Sequence, residues 1–392
     1  MIFVGIDVAL EKHDCCILGS DGSTLSTFTF TNDKYGFNLF IDTVTKHCHK
    51  HNLANAKVGL ESTGHYSTNL TCFLLAKHLS VKIYNPLQVN MLRKAQSLRK
   101  TKTDKSDAKF LAQSVFSDDS TPYLPPLYHI SELKTLTRNR YRLVEMCSKL
   151  KISITRLVTV LFPELPGVVW SVNQKSSYAL LLEYPTARSI SEAHITRLTN
   201  ILSENSKGKY GKSKALEIRN LAKQSIGLDS RATGFELKQT IRLIQNLQCE
   251  IDELEAEIKT IMLEINSPVL TIPSIGFVLG AIILAEIGNI EKFDNPAKLL
   301  KFAGLEPSVY ESGNYKATNT PMVKRGSKYL RWALLQAARL ATYHDATFGA
   351  YMAKKRNEGK HFYVATSHVA KKLVRVLFHL ICSGESFAPQ LG

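Results

Sequence analysis

The chain has 392 residues, 44% of them hydrophobic, and a formal net charge of +16. That length exceeds what one core usually serves, so two or three domains are expected, and no run of eighteen apolar residues suggests a membrane-spanning helix. The positive balance, with a pI near 9.4, calls for a polyanionic partner, most simply nucleic acid.

Residues 2–7, I-F-V-G-I-D, form an apolar run ending in a carboxylate, the pattern of a strand buried on both faces. A period of two places Phe3, Gly5 and Asp7 on one face. A second strand over 15–18, a turn at 19–22 and a third strand over 24–31 make a meander. Helical spacing follows over 36–49, then a strand at 57–61, a helix at 67–78 and a fifth strand at 81–84, stopped by Asn85-Pro86. This order predicts an antiparallel meander continued by parallel strands with crossover helices.

Glu61 closes the fourth strand as Asp7 closes the first, and Gly59 precedes it as Gly5 precedes Asp7. If these strands are neighbours, the two carboxylates converge at one end of the sheet. In K-T-K-T-D-K-S-D-A-K-F-L-A, residues 100–112, Asp104 and Asp107 are three apart and share a helical face. Like charges at that spacing repel, and a divalent cation between them would offset the repulsion. The plainer alternatives are a turn or capping Asp7 at the strand end, a solvated strand-end Glu61, and an N-cap at Thr103 with Asp104 in the first turn. Hard oxygen ligands suit magnesium or manganese. Such a site can hold two ions about 4 Å apart for in-line attack on a phosphodiester. Strand order and acid placement resemble the RNase H and RuvC-like nucleases. The same fold core occurs in actin-like ATPases and sugar kinases, but V-A-L-E-K-H-D after Asp7 lacks the Gly, Ser or Thr of their phosphate loop.

Pro122, Pro125 and Pro126 then break the chain. Residues 131–161 read as a long basic amphipathic helix, carrying Leu133, Leu136, Ile154, Leu157 and Leu161. Short helices are expected over 168–234, around the loop S-K-G-K-Y-G-K-S-K at 206–214, which is either a phosphate grip or a plain flexible loop. From Ile244 through Leu247, Ile251, Leu254, Ile258, Ile261 and Ile265 the steps alternate three and four. That is a heptad seam, a coiled coil over about 236–265. It serves either a dimer contact or packing against 131–161.

In the last third, I-P-S-I-G at 272–276 before an apolar run resembles a helix-hairpin-helix element, whose backbone N–H groups meet a DNA phosphate. Between 301 and 375 fourteen Lys or Arg face four Asp or Glu, which marks a DNA-binding stretch. Lys316, Lys324, Arg325, Lys328 and Arg331 are its candidate phosphate contacts. Ser312 sits in Y-E-S-G among these cations. A Ser before Gly is ordinarily turn chemistry, and no His lies nearby in sequence to activate it. Three domains are expected, 1–120, 121–266 and 267–392: an α/β domain, a helical coiled-coil region and a mostly helical domain.

The seven cysteines include no C-x-x-C pair, and Cys15 next to Cys16 is not zinc-ligand spacing. Reduced thiols in a cytoplasm are expected. The start, M-I-F-V-G-I-D, lacks a basic n-region and is not expected to be a signal peptide.

G-I-D at 5–7, E-S-T-G-H-Y at 61–66, K-T-D-K-S-D-A at 102–108, I-P-S-I-G at 272–276, F-A-G-L-E-P at 302–307, Y-E-S-G at 310–313 and K-R-G-S-K-Y-L-R at 324–331 occur in that order. Together they resemble the transposases of the DEDD insertion sequences, which are related to pilin-gene invertases. The resemblance spans nearly the whole chain and implies a RuvC-like domain joined through a coiled coil to a C-terminal transposase domain. It implies that Asp7, Glu61, Asp104 and Asp107 are a metal-binding tetrad for magnesium, and that Ser312 is the nucleophile of DNA strand exchange. It further implies dimers or tetramers, and a structured guide RNA, the bridge RNA, that selects the target. The place of action would be the prokaryotic cytoplasm at the nucleoid. One departure is that Ser312-Gly313 is followed by N-Y-K-A-T-N, without a further Ser or Gly run. The competing expectations are a metal-only, junction-resolvase-like nuclease in which Ser312 is structural, and a basic scaffold without catalysis.

Overall fold

A computed structural model describes residues 1–51, 55–61, 65–86, 89–90, 104–118, 123, 128–308, 311–312, 315–316 and 321–388; of residues 104, 311, 312, 315 and 316 it describes the backbone alone. The chain divides into two compact units, Met1–Pro125 and Pro126–Gly392.

The first unit is built on a five-stranded sheet in the order β3-β2-β1-β4-β5. Its strands are β1 (Ile2–Asp7), β2 (Lys12–Leu18), β3 (Thr24–Thr31), β4 (Ala56–Glu61) and β5 (Ser80–Tyr84). β1 pairs antiparallel with β2 and parallel with β4, and β4 pairs parallel with β5. The expected meander and parallel extension are therefore present, with β1 at the centre.

Helices α1 (Lys34–Lys50) and α2 (Tyr66–Ala76) contribute to the apolar core with Ile2, Val4 and Ile6. Asp33 caps α1 by accepting from the Gly36 N–H at 2.7 Å, which ties the helix start to the end of β3. β2 begins at Lys12, earlier than the apolar pattern predicts, because His13 and Asp14 are both buried strand residues. The His13 ring lies 5.1 Å from Phe30 and 6.1 Å from Phe37.

Helix α3 (Asp104–Phe116) covers the opposite face. It reaches the sheet at backbone distance. A Cβ on Gly5 would fall 2.1 Å from the Ala108 carbonyl oxygen and 2.2 Å from the Ala112 nitrogen. One on Gly59 would fall 2.0 Å from a Val115 methyl. Phe116, at the other end of α3, packs edge-on against Phe3 at 5.1 Å. The helix thus runs opposite to β1, with its first turn toward the strand end that carries Asp7. Beyond its C-terminus Asp118 takes Lys82 at 3.3 Å and the Tyr84 hydroxyl at 3.2 Å. Burial and then Asp118 push the Tyr84 phenol above the usual tyrosine range.

The second unit is helical. α4 (Tyr128–Leu161) and α9 (Arg231–Ile265) form a long antiparallel pair. Side-chain contacts mark its register: His129–Glu264 (3.7 Å) and the ion pairs Arg140–Glu255 (2.7 Å) and Arg156–Glu236 (2.9 Å). Of the heptad seam, Ile244, Ile251, Ile258 and Ile261 are buried within this chain. Of the two expectations for the seam, internal packing is the one observed. Toward one end of the pair, Ile154, Leu157 and Leu161 share a core with Leu237 and Ile241. The short helices α5 (Lys175–Glu183), α6 (Ala187–Glu192), α7 (Ile195–Ser206) and α8 (Lys212–Lys223) complete that core. The lysine-rich loop shrinks to the α7–α8 turn, where the Tyr210 hydroxyl accepts from the Trp170 N–H at 2.9 Å.

Toward the other end, Leu133, Ile258, Ile261 and Met262 share a core with α10 (Phe277–Ile287), α11 (Pro296–Phe302), α12 (Lys328–His344), α13 (Ala346–Asn357) and α14 (Phe362–Ser383). Residues on both sides of position 266 therefore belong to one core. I-P-S-I-G forms the turn before α10, with Ser274 at φ +83° and the Ile275 N–H donating to the Ile272 carbonyl at 3.1 Å. No described helix is long and apolar enough to cross a membrane.

The glycine contacts give a graded expectation. Gly5→Ala should destabilise the protein by about 3 kcal/mol, because its clash is with backbone that cannot move aside. Gly59→Ala should cost about 1 kcal/mol, because a valine methyl can rotate away. Urea unfolding of the two variants checks the order.

Candidate active site and nucleic-acid face

The strand register brings the first two acids together. Ile6 is paired with Leu60, so Asp7 and Glu61 are the next residues on adjacent parallel strands. Gly5 and Gly59 let α3 descend onto that face, and its first turn, with Asp104 and Asp107, faces the same end of the sheet. Asp107 is buried. The three described side chains, Asp7, Glu61 and Asp107, come from elements that touch, whereas the Asp104 side chain lies outside the described residues. Among the described residues, no three His, Cys, Asp or Glu side chains form a group that could hold a metal ion.

Sequence reasoning missed a fifth carboxylate. Asp14 is the cross-strand partner of Asp7 and is buried. Its Oδ1 accepts from the Thr29 hydroxyl at 2.7 Å. Two acids directly opposite repel, so this strand end concentrates negative charge. The sign of it in the sequence was the alternation Lys12-Asp14-Cys16-Leu18, whose last three residues share a buried face.

In the second unit Ser312 belongs to a small hairpin. β6 (Glu311–Ser312) pairs with β7 (Tyr315–Lys316), and Ser312 stands opposite Tyr315. The side chains of Ser312 and Lys316 lie outside the described residues. The base below the hairpin is closed by backbone hydrogen bonds. The Ser308 N–H donates to Pro321, Val323 to Glu306 and Lys324 to Gly304, at 2.9, 3.0 and 3.2 Å. Gly304 and Gly326 permit this closure at φ +69° and +124°, and a Cβ on Gly326 would lie 2.0 Å from the Phe302 carbonyl oxygen.

The basic run divides by role. Lys324, Arg325 and Lys328 are exposed. Arg331 instead donates from Nη1 to the carbonyls of Lys324 (3.0 Å) and Ala303 (3.3 Å), bracing the hairpin base. Its expected place among the phosphate contacts is thus shared with a structural one.

Behind this segment lies a buried carboxylate that the sequence did not single out. Glu286 on α10 accepts two hydrogen bonds from Arg138 of α4, at 2.7 and 3.0 Å, and one from the Ser327 hydroxyl at 2.7 Å. Burial acts to raise its pKa, but the Arg138 and Ser327 hydrogen bonds outweigh that and hold it below the ordinary 4.5. Arg138 also stacks over Tyr329 at 4.9 Å. The network ties the start of α12, and with it the basic run, to the long helix α4.

Comparison with known proteins decides the relationship. The DEDD transposase model of IS110 matches residues 4–163. The model described as "Transposase IS116/IS110/IS902 family" matches residues 266–353. The chain belongs to the IS110/IS116 transposase family. Its relatives include the uncharacterized 44.8 kDa protein of insertion element IS116 from Streptomyces clavuligerus, 25% identical over 99% of this chain and 96% of that one. The pilin gene-inverting protein of Moraxella bovis is 30% identical over 35% of this chain and 41% of its own. The transposase for insertion sequence element IS1111A of Coxiella burnetii is 30% identical over 32% and 34%. The first match covers most of the first unit and continues through the whole of α4, and the second lies entirely within the second unit. This transposase is therefore an enzyme of DNA recombination that serves insertion-sequence mobility, and its polyanionic partner is DNA.

The Glu286 network generates a stability test. Arg138→Ala in this transposase should cost about 3 kcal/mol at neutral pH, the low end for breaking a buried pair, because Arg138 is partly exposed. The depressed Glu286 pKa contributes stability that is present above pH 4.5 and lost as pH falls through the folded-state value. Urea unfolding at stepped pH should show that acid loss shrinking in the variant.

Proposed function

We propose that this transposase cuts and rejoins DNA through a covalent serine–DNA ester on Ser312, supported by a divalent cation at Asp7, Glu61, Asp104 and Asp107 of a RuvC-like domain. The observation that carries the metal part is the β1–β4 register, which makes Asp7 and Glu61 neighbours beneath the first turn of α3. The donors fit such an ion in kind, since they are carboxylate oxygens alone, suited to magnesium or manganese. When bound, the ion would supply charge stabilisation at the phosphate and help generate an oxygen nucleophile.

The chain's own residues supply the rest. Ser312 Oγ forms a bond to phosphorus as the bond to the 3′ oxygen breaks. The serine proton passes to a base, and the departing 3′ oxygen takes up a proton. One ester replaces another, so a 3′-hydroxyl can reverse the step on a new partner strand without a nucleoside triphosphate. Lys316, Lys324, Arg325, Lys328 and Arg331 flank the hairpin in sequence and hold the DNA backbone. A structured guide RNA chooses the target by pairing, and the working form is a homo-oligomer, a dimer or tetramer, acting at the nucleoid in the cytoplasm. The motif order and the family membership support this reading.

The deciding experiment is excision from a plasmid that carries the gene with its native flanks, read by PCR across the circular junction. Wild type should form the circle, and Ser312→Ala and Asp104→Ala should both lose it. A circle from Ser312→Ala but not from Asp104→Ala would make the protein a metal-only nuclease in which the serine is structural.

A further inference from the structure

Glu286 already accepts three hydrogen bonds from Arg138 and Ser327, yet two more cations stand near it. Lys134 lies one turn before Arg138 on α4. Lys292 follows α10 in a short 3-10 turn. Lys292 is exposed as a residue, but its ammonium is fixed over two rings, 5.0 Å from the Phe293 centroid and 4.9 Å from that of Phe302. Neither lysine makes an ion pair among the described residues. Each feels the other's neighbourhood. Burial and then Lys134 bring the Lys292 pKa down to about 8. Burial lowers that of Lys134 too, with Glu286 opposing and Arg138 adding to the effect.

Three cations around one carboxylate leave a partly enclosed excess of positive charge. Such an excess is costly in the free protein and is relieved by an anion. The site is accessible through Lys292, and it adjoins the exposed basic run, because Glu286 holds Ser327 and Lys328 follows directly. That continuity points to a phosphate on a polymer already held by the run, rather than to a free small anion.

We propose that Lys134 and Lys292 form a binding site for a phosphodiester group of the DNA substrate, completing the charge arrangement around Glu286 and Arg138. The site rests on the family's action on DNA and not on the serine chemistry. A Ser312→Ala protein should therefore keep it intact.

The test is the salt dependence of binding to a duplex of the element end. Lys134→Gln/Lys292→Gln should flatten the slope of log K against log salt by about 1 and weaken binding about fivefold at physiological salt. Lys223→Gln, on exposed α8, is the control and should leave the slope as in wild type. An unchanged slope in the double variant, or an equal change in the control, overturns the proposal. A second measurement keeps the sequence unaltered: lysines are reductively methylated with carbon-13, and the Lys292 resonance is titrated. Its pKa should rise from about 8 toward the ordinary value of about 10.4 on adding the duplex. No rise, or an equal rise with inorganic phosphate at the same phosphate concentration, or a rise with structured RNA but not with duplex DNA, would refute a DNA phosphodiester site.

Discussion

A helix can rest on a sheet at backbone distance only where the sheet presents no side chain to hold it off, and the first unit depends on that contact. Gly5 on β1 and Gly59 on β4 clear the space, and Ala108, Ala112 and Val115 of α3 fill it. The position of α3 is then fixed to within a fraction of a side chain. Its direction follows from Phe116 against Phe3 at one end. The first turn must then face the ends of β1 and β4, where Asp7 and Glu61 stand. Close packing thus sets the placement of charged groups that would otherwise repel each other apart, and the apolar faces supply the free energy that holds them.

The second unit solves a different problem. Its elements share two hydrophobic cores, and the α4–α9 pair contributes residues to both, Ile154 and Ile244 to one, Leu133 and Ile258 to the other. Packing two long helices along a heptad seam makes a stiff beam. The Glu286–Arg138–Ser327 contact joins α10 and the start of α12 to that beam through directional bonds, where apolar packing alone would tolerate sliding. The hairpin base that leads to Ser312 is in turn braced by Arg331. Positional information passes from the beam to the basic run through four named side chains.

Much of this was legible in the sequence because it is local. Strand-end acids, the order of strands and crossovers, and the three-four seam all repeat within a few residues of one another. What escaped depends on contacts between distant residues or on polar groups in apolar places. β2 was read from Cys15 because His13 and Asp14 interrupt the apolar pattern, although both are buried once β3 and α1 supply Phe30, Thr29 and Phe37. Glu286 lies inside an otherwise apolar helix and finds its partner 148 residues earlier, a separation no periodicity can reveal. Arg331 looked like its neighbours in K-R-G-S-K-Y-L-R, and only the folded loop shows that its guanidinium also serves two carbonyls. The seam itself was plain, but a seam does not name its partner, and α4 was one of two that it could serve.

The same structure explains how one basic chain uses its cations in two ways. Arginine's planar fork suits fixed, paired geometry, whereas lysine is a mobile point charge. Arg138, Arg140, Arg156, Arg188 and Arg197 all pair with carboxylates inside the chain, and Arg331 takes backbone carbonyls. Lys134, Lys292, Lys324 and Lys328 make no ion pair among the described residues. Several internal acids are thus held by arginines and others by Lys82, Lys214, Lys298 and Lys355, while much of the excess charge between residues 301 and 375 falls to lysines. An enzyme that must grip DNA, exchange strands and let go gains from that division. The Arg138–Glu286 and Arg140–Glu255 contacts are partly buried, so salt screens them weakly. Lys324 and Lys328 are exposed, and any phosphate contact made by exposed lysines weakens as counterions compete.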